Sequence, residues 1–159
     1  MIRILTFVVL VLVSVQVQAQ QSSVKQEIKK TIETFFEGLH QGDSTLLKTT
    51  IHNDLKTQTT FTNRKGEHVL RTESRENLLK AIASKKPADE YLEKLLSYTI
   101  KVDGNLASVW TPYEFYLNGK FSHCGANSFQ LFNNNGTWKI IYLVDMRRRQ
   151  NCAALKNKK

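Results

Sequence analysis

Apolar residues recur at helical spacing across residues 22–40. Val24, Ile28, Ile32, Phe35, Phe36 and Leu39 form one side, and Lys25, Lys29, Lys30, Glu33 and Glu37 fill the other. A stripe of that width predicts one long amphipathic helix. Gly42 stops it, and Asp43 ahead of Ser44-Thr45-Leu46-Leu47 reads as the N-cap of a short second helix. From Leu55 the pattern changes. Thr57, Thr59, Thr60 and Phe61 favour a strand, Asn63-Arg64-Lys65-Gly66 a turn, and Val69 to Arg71 a short return strand. Thr72 to Ser74 can cap a third helix with Leu78, Leu79 and Ile82 facing inward, ended by Lys85-Lys86-Pro87. Residues 90–96 fit either a helical turn or the start of a strand, because Tyr91, Leu92, Leu95 and Leu96 keep helical spacing.

From Tyr98 onward the chain reads as an antiparallel meander. Residues 97–102 turn at Asp103-Gly104-Asn105, residues 106–116 at Leu117-Asn118-Gly119, and residues 120–132 at Asn133 to Gly136 before 137–146 closes the set. Helices first and strands last argue an α+β domain. Three N-terminal helices would pack on a strongly curved antiparallel sheet, forming a cone with an internal pocket.

Strand period then assigns side chains to faces. A two- or four-residue connection at Asn133 to Gly136 sets His123, Asn127, Phe129 and Leu131 on one face with Trp138, Ile140, Tyr142 and Val144. For the preceding hairpin, a three-residue loop with Gly119 left-handed sets Ala107 opposite Phe129, Val109 opposite Asn127 and Tyr113 opposite His123. A two-residue Asn118-Gly119 turn would instead place Glu114 opposite His123 and Trp110 opposite Asn127. Burial of Ala107, Val109 and Phe115 favours the first. Thr111, Tyr113, His123, Asn127 and Tyr142 then converge at the polar end of an otherwise apolar face, which describes a small-molecule site or a set of hydrogen-bonded core groups. Asp145 falls on the other face, beside Cys124.

Residues 1–19 belong to a different category. Arg3, the apolar run Ile4 to Val15 and Val17-Gln18-Ala19 have the order of a cleavable signal peptide. The run is shorter than the ~20 apolar residues that span a bilayer. Export to the periplasm or beyond is therefore expected, with no stable membrane insertion after cleavage. The mature chain would comprise one domain at 22–152 and a basic tail at 153–159. The formal charge of +9 is concentrated at the end: without Arg3 and the six basic residues after Asp145, the body carries 16 basic against 14 acidic residues. A basic tail on a nearly neutral exported domain does not point to nucleic acid. Two cysteines, Cys124 and Cys152, in an oxidising compartment read as one disulfide in preference to two independent thiols.

The long first helix, Gly42-Asp43, His52-Asn53-Asp54, Ala107-x-Val109, Phe129-x-Leu131 and Gly136-x-Trp138-Lys139-Ile140 together resemble the nuclear transport factor 2-like superfamily. This is the cystatin-like cone fold shared with SnoaL-like cyclases, ketosteroid isomerases and scytalone dehydratase. His123-Cys124-Gly125, Trp138-Lys139-Ile140, Asp145-x-Arg147-Arg148 and the closing Cys152 are similar, more narrowly, to the exported group labelled putative lumazine-binding. Asn53 departs from the commoner His-Pro-Asp. The resemblance implies a deep pocket between sheet and helices, frequent dimers, and both enzymes and silent binders among relatives.

An enzyme of this kind would use His123 as general base, titrating near neutral pH, with Tyr113 or Tyr142 donating to a developing oxyanion. His52 and Asp54 could reach the mouth of the pocket. No spacing among His40, His52, His68 and His123 resembles a metal set, and no nucleotide motif occurs, so no cofactor is expected. The favoured reading is an exported small-molecule-binding protein, a homodimer by resemblance. A cofactor-free isomerase, dehydratase or cyclase using His123 is the alternative, followed by an interaction protein using the outer sheet face.

Overall fold

The computed structural model describes residues 20–153 in full and residues 2–19 by backbone alone. The side chains of the expected leader and residues 154–159 of the tail lie outside the described residues. Helices α1 (Ile2–Gln41), α2 (Ser44–Thr50) and α3 (Arg75–Ala83) accompany strands β1 (Ile51–Thr62), β2 (His68–Ser74), β3 (Tyr91–Leu95), β4 (Thr99–Asp103), β5 (Leu106–Leu117), β6 (Lys120–Asn134) and β7 (Thr137–Arg148). The expected caps are made. Asp43 Oδ1 accepts the Leu46 N–H at 2.8 Å and Ser74 Oγ that of Asn77 at 3.1 Å, satisfying donors that the first helical turn leaves open.

All seven strands form one sheet in the order β2-β1-β7-β6-β5-β3, with β4 also pairing β5. The α+β class holds, with one local exception to antiparallel pairing: β1 runs parallel to β7, setting Thr59 beside Asp145 and Phe61 beside Arg147. The ambiguous segment 90–96 contains a strand. β3 pairs the second half of β5 while β4 pairs the first, so the two short strands share one edge. Tyr91, Glu93 and Leu95 face inward and Leu92 is exposed. Pairing to β5 satisfies this backbone and overrides the helical spacing.

The stripe on α1 covers the sheet as predicted. Ile28, Ile32, Phe35 and Phe36 are buried with Val109, Phe129, Leu131 and Ile140, and both Phe35 and Phe36 meet Phe129 edge-on at 6.1 Å between centroids. At ~25 cal/mol per Å² this apolar burial is the main stabilising term.

Two bulges alter the expected pairings, and one of them reverses faces. Between β5 and β6 the turn has two residues, Asn118 and Gly119, both at positive φ, and an extra residue between Phe121 and His123 shifts the register once more. Thr111 pairs with Asn127, Tyr113 with Gly125 and Phe115 with His123. The expected pairings are displaced by two residues, a displacement that preserves faces because the side-chain period is two. The second bulge, at Ile141 in β7, does not preserve them. Leu131 pairs Ile140, but Phe129 pairs Leu143 and Asn127 pairs Asp145. Leu143, Asp145 and Arg147 therefore turn inward, while Tyr142 and Val144 turn outward.

Candidate functional site

The bulge in β7 brings a carboxylate into the cone, where residue counting along unbroken strands had placed a tyrosine. Asp145 is buried at 7% exposure and fully engaged. Its Oδ1 accepts the Thr59 hydroxyl at 2.6 Å, and its Oδ2 accepts Arg147 Nε at 2.5 Å and the Tyr113 hydroxyl at 3.2 Å. Donors on β1, β5 and β7 thus hold one anion, and charge-assisted bonds of this kind are the stronger ones. Burial, followed by the charge of Asp145, pushes the Tyr113 phenol well above its ordinary range. The phenol stays a donor.

Glu93 enters from β3. Asn127 Nδ2 donates to its Oε1 at 2.7 Å, and its backbone N–H donates to His40 Nε2 at 2.8 Å. Glu93 as a residue is half-buried, but its carboxyl is desolvated. Burial first, and the charge of Asp145 after the opposing Asn127 bond, push it up to about 7. His40 is shifted down by burial, so this imidazole serves as an acceptor tying the end of α1 to β3.

These groups enclose a chamber of about 100 Å³, walled by Phe35, Phe36 and Leu39 of α1, Leu78 of α3 and Leu143 of β7. That is smaller than the ~300–1,000 Å³ of a typical ligand pocket. The chamber is not the whole site. Thr59, Arg71 and Arg147 line it and also line an outer cleft of about 790 Å³, which Arg64, His123, Arg149 and Gln150 border.

The five residues expected in the pocket divide accordingly. Asn127 lines the chamber, and Tyr113 orients Asp145 from within the core. Thr111 is fully buried away from the chamber wall, its hydroxyl unpaired among the described residues. His123 borders the outer cleft, edge-on to Tyr113 at 5.8 Å and tilted over Phe115 at 4.9 Å, with Ser122 Oγ 3.1 Å from Nδ1. Tyr142 is removed from the set. It stands on the opposite face and donates to Gln58.

The basis for a His123 base changes too. Burial, then Arg147, lowers its pKa to about 4, so the imidazole is neutral and weakly basic at pH 7. His52 lies at the other end of the sheet against Phe132 and does not reach the mouth. Among the described residues no cluster of three His, Cys, Asp or Glu side chains is arranged to hold a metal ion.

Gly125 and Cys124 separate the two faces of β6. A Cβ on Gly125 would stand 1.6 Å from the Met146 carbonyl oxygen and 3.0 Å from the Tyr113 ring, so only glycine lets β7 and Tyr113 close on β6 here. Cys124, fully buried on the outer face, is bonded to Cys152. This link holds the segment carrying Arg149 and Gln150 against the cleft.

A family described as Putative lumazine-binding matches residues 23–144. The chain belongs to that family. Among solved structures, the β subunit of a putative aromatic-ring-hydroxylating dioxygenase from Novosphingobium aromaticivorans is 13% identical, with a TM-score of 0.66 over 82% of this chain and 93% of that one. A cystatin-like protein of unknown function from Nostoc punctiforme is 14% identical, with a TM-score of 0.60 over 79% and 92%. A putative dehydratase of the NTF2-like family from Streptomyces avermitilis is 12% identical, with a TM-score of 0.58 over 80% and 98%. At such identities the likeness concerns the fold, which is that of the NTF2-like superfamily. No curated protein matches the chain.

Proposed function

We propose that the chain is an exported small-molecule-binding protein whose ligand seats one end in the chamber between α1 and the sheet. The observation that carries this reading is the convergence of Asn127, Glu93 and Asp145 on a chamber whose opposing wall is apolar, formed by Phe35, Phe36, Leu39, Leu78 and Leu143. Such a chamber offers an orienting donor and acceptor set facing an apolar wall, and it shares Thr59, Arg71 and Arg147 with a cleft large enough for the rest of a molecule. The disulfide and the signal-like order of Arg3, the apolar run Ile4 to Val15 and Val17-Gln18-Ala19 support export. Native mass spectrometry of the protein purified from its own host tests the reading. A bound molecule near one per chain is expected, together with its loss in Asn127→Leu. An empty protein, or equal retention by the variant, would overturn it.

A second reading, a cofactor-free acid/base enzyme, is favoured by the Glu93 carboxyl that holds its proton close to neutrality beside an ion-paired Asp145. A carboxyl that keeps its proton close to neutrality can act as a general acid at physiological pH. In that case Glu93 is the general acid, and His123, neutral at the cleft, helps to position substrate. Turnover of a carbonyl or hydroxy compound that falls with deprotonation of a group near pH 7 and is lost by about 100-fold in Glu93→Gln would support it.

A further inference from the structure

The outer cleft carries a charge pattern that the chamber does not explain. Arg64 lies on the turn between β1 and β2, Arg71 on β2, Arg147 on β7 and Arg149 just beyond it, and all four line one concavity. Among the described residues no Asp or Glu lines that cleft. Arg147 is paired on its inner side with Asp145, and among the described residues Arg64, Arg71 and Arg149 enter no ion pair. Glu73, on the strand of Arg71, lines the chamber instead. No Asp or Glu side chain follows Asp145 in the sequence. Three guanidinium groups without an ion-pair partner, gathered beside the paired Arg147, repel one another, and an anion seated among them relieves that repulsion.

From this juxtaposition we infer that the outer cleft binds the oxyanion of a small molecule, a carboxylate or a phosphate, whose uncharged remainder extends into the chamber. The inference deepens the binding reading above and rests on it only for where that remainder goes.

The geometry is prepared for such a group. Arg147 is fixed through Nε and Nη2 on Asp145, at 2.5 and 3.4 Å, which leaves its other N–H groups free at the junction of chamber and cleft. Arg71 is steadied over the Phe61 ring at 5.2 Å. Planar guanidinium forks match carboxylate and phosphate oxygens in pairs. Ser122, Asn63 and Gln150 add neutral hydrogen-bonding groups around the rim. Because the cationic groups line a concavity that shares Thr59, Arg71 and Arg147 with the chamber, they suit a single anionic head with a compact body. A polyanion would be better served by a stripe along an open face.

Titration calorimetry of the full chain with phenyl phosphate and benzoate, against neutral benzamide, tests the site. At least one of the two anions should bind about tenfold or more tightly than benzamide, weaken several-fold between 50 and 300 mM NaCl, and lose about tenfold in the exposed double variant Arg64→Gln/Arg149→Gln. The tighter of the two identifies the oxyanion. Arg149→Gln alone, with a smaller loss, serves as the readout if the double variant melts early. Equal binding of benzamide, no binding of either anion at millimolar concentration, or unchanged affinity in both variants would overturn the inference. Its failure is separable from that of the chamber reading: Asn127→Leu should release the co-purifying molecule while sparing most of the benzoate or phenyl phosphate affinity, and the arginine variants report on the cleft alone.

Discussion

The chamber and the cleft share a wall and follow opposite electrostatic rules. Inside, the buried polar groups are matched: Asp145 has three donors, Asn127 has Glu93, and Thr57 has the Glu73 carbonyl. Outside, the arginines gather without carboxylates. Burial explains the difference. An unmatched charge in a chamber of about 100 Å³ would be far more costly than one in an open cleft, where water screens it. The matched interior is built for shape and hydrogen bonding, and the unmatched rim for attracting charge. Arg147 belongs to both, which makes it the natural place to disturb their relation.

The largest effect should come from the covalent link that holds the rim. Cys152→Ser opens a loop of 28 residues between bonded cysteines and is expected to cost about 3 kcal/mol in a urea titration, by loss of chain constraint. The chamber should survive, because none of its walls lies beyond Arg147. Affinity for benzoate or phenyl phosphate should fall several-fold, because Arg149 and Gln150 lose their anchor. Equal losses in chamber and cleft would contradict the division between them.

How much of this division was legible in the residues depends on distance along the chain. The helical stripe of α1, both N-caps and the turn glycines are local signals, and each is realised in the structure. The inward direction of Asn127 and His123 was also legible, although the hairpin reached it by a two-residue turn and a bulge. Asp145 was misplaced because one extra residue at Ile141 reverses every later side chain on β7, and a bulge leaves no mark in an alternating pattern as apolar as Ile140-Ile141-Tyr142-Leu143. Glu93 was overlooked inside a segment that helical spacing made ambiguous. Arg64 and Arg71 were readable only as turn and strand residues, since their meeting with Arg147 depends on the parallel pairing of β1 with β7, across more than eighty residues. A signal that could have raised Asp145 was its place two residues before Arg147, the i, i+2 spacing that puts an acid and a base on one face of a strand.

Arg147→Met should have an intermediate effect. It leaves Asp145 with two hydroxyl donors but no cation. Breaking a fully buried pair costs ~3–5 kcal/mol, but Arg147 is 51% exposed, so a loss of about 2 kcal/mol is expected by denaturant titration. The variant should also weaken the anionic probes, whereas Arg64→Gln should leave stability within about 0.5 kcal/mol. If Arg64→Gln destabilised the fold as much as Arg147→Met, the rim would not be the free, unmatched surface described above.

The smallest effect is a pH dependence in which chamber and rim oppose each other. Glu93 holds its proton up to about 7 in the folded protein, against 4.5 ordinarily, so its contribution is fully present below pH 4.5 and is lost as pH rises through about 7. His123 goes the other way. With its folded pKa lowered from 6.5 to about 4, the unfolded chain takes up a proton first, and stability present above pH 6.5 is lost as pH falls toward 4. Between about pH 4.5 and 6.5 the two slopes have opposite signs, and the wild-type urea midpoint should change little. Each variant unmasks the other group. Glu93→Gln should become steadily less stable on acidification from pH 6.5 to 4.5, and His123→Phe less stable as pH rises from 4.5 to 7. Midpoints measured at unit intervals of pH decide the matter. Parallel curves for the two variants would mean that neither the chamber's Glu93 nor the rim's His123 is desolvated in the folded protein.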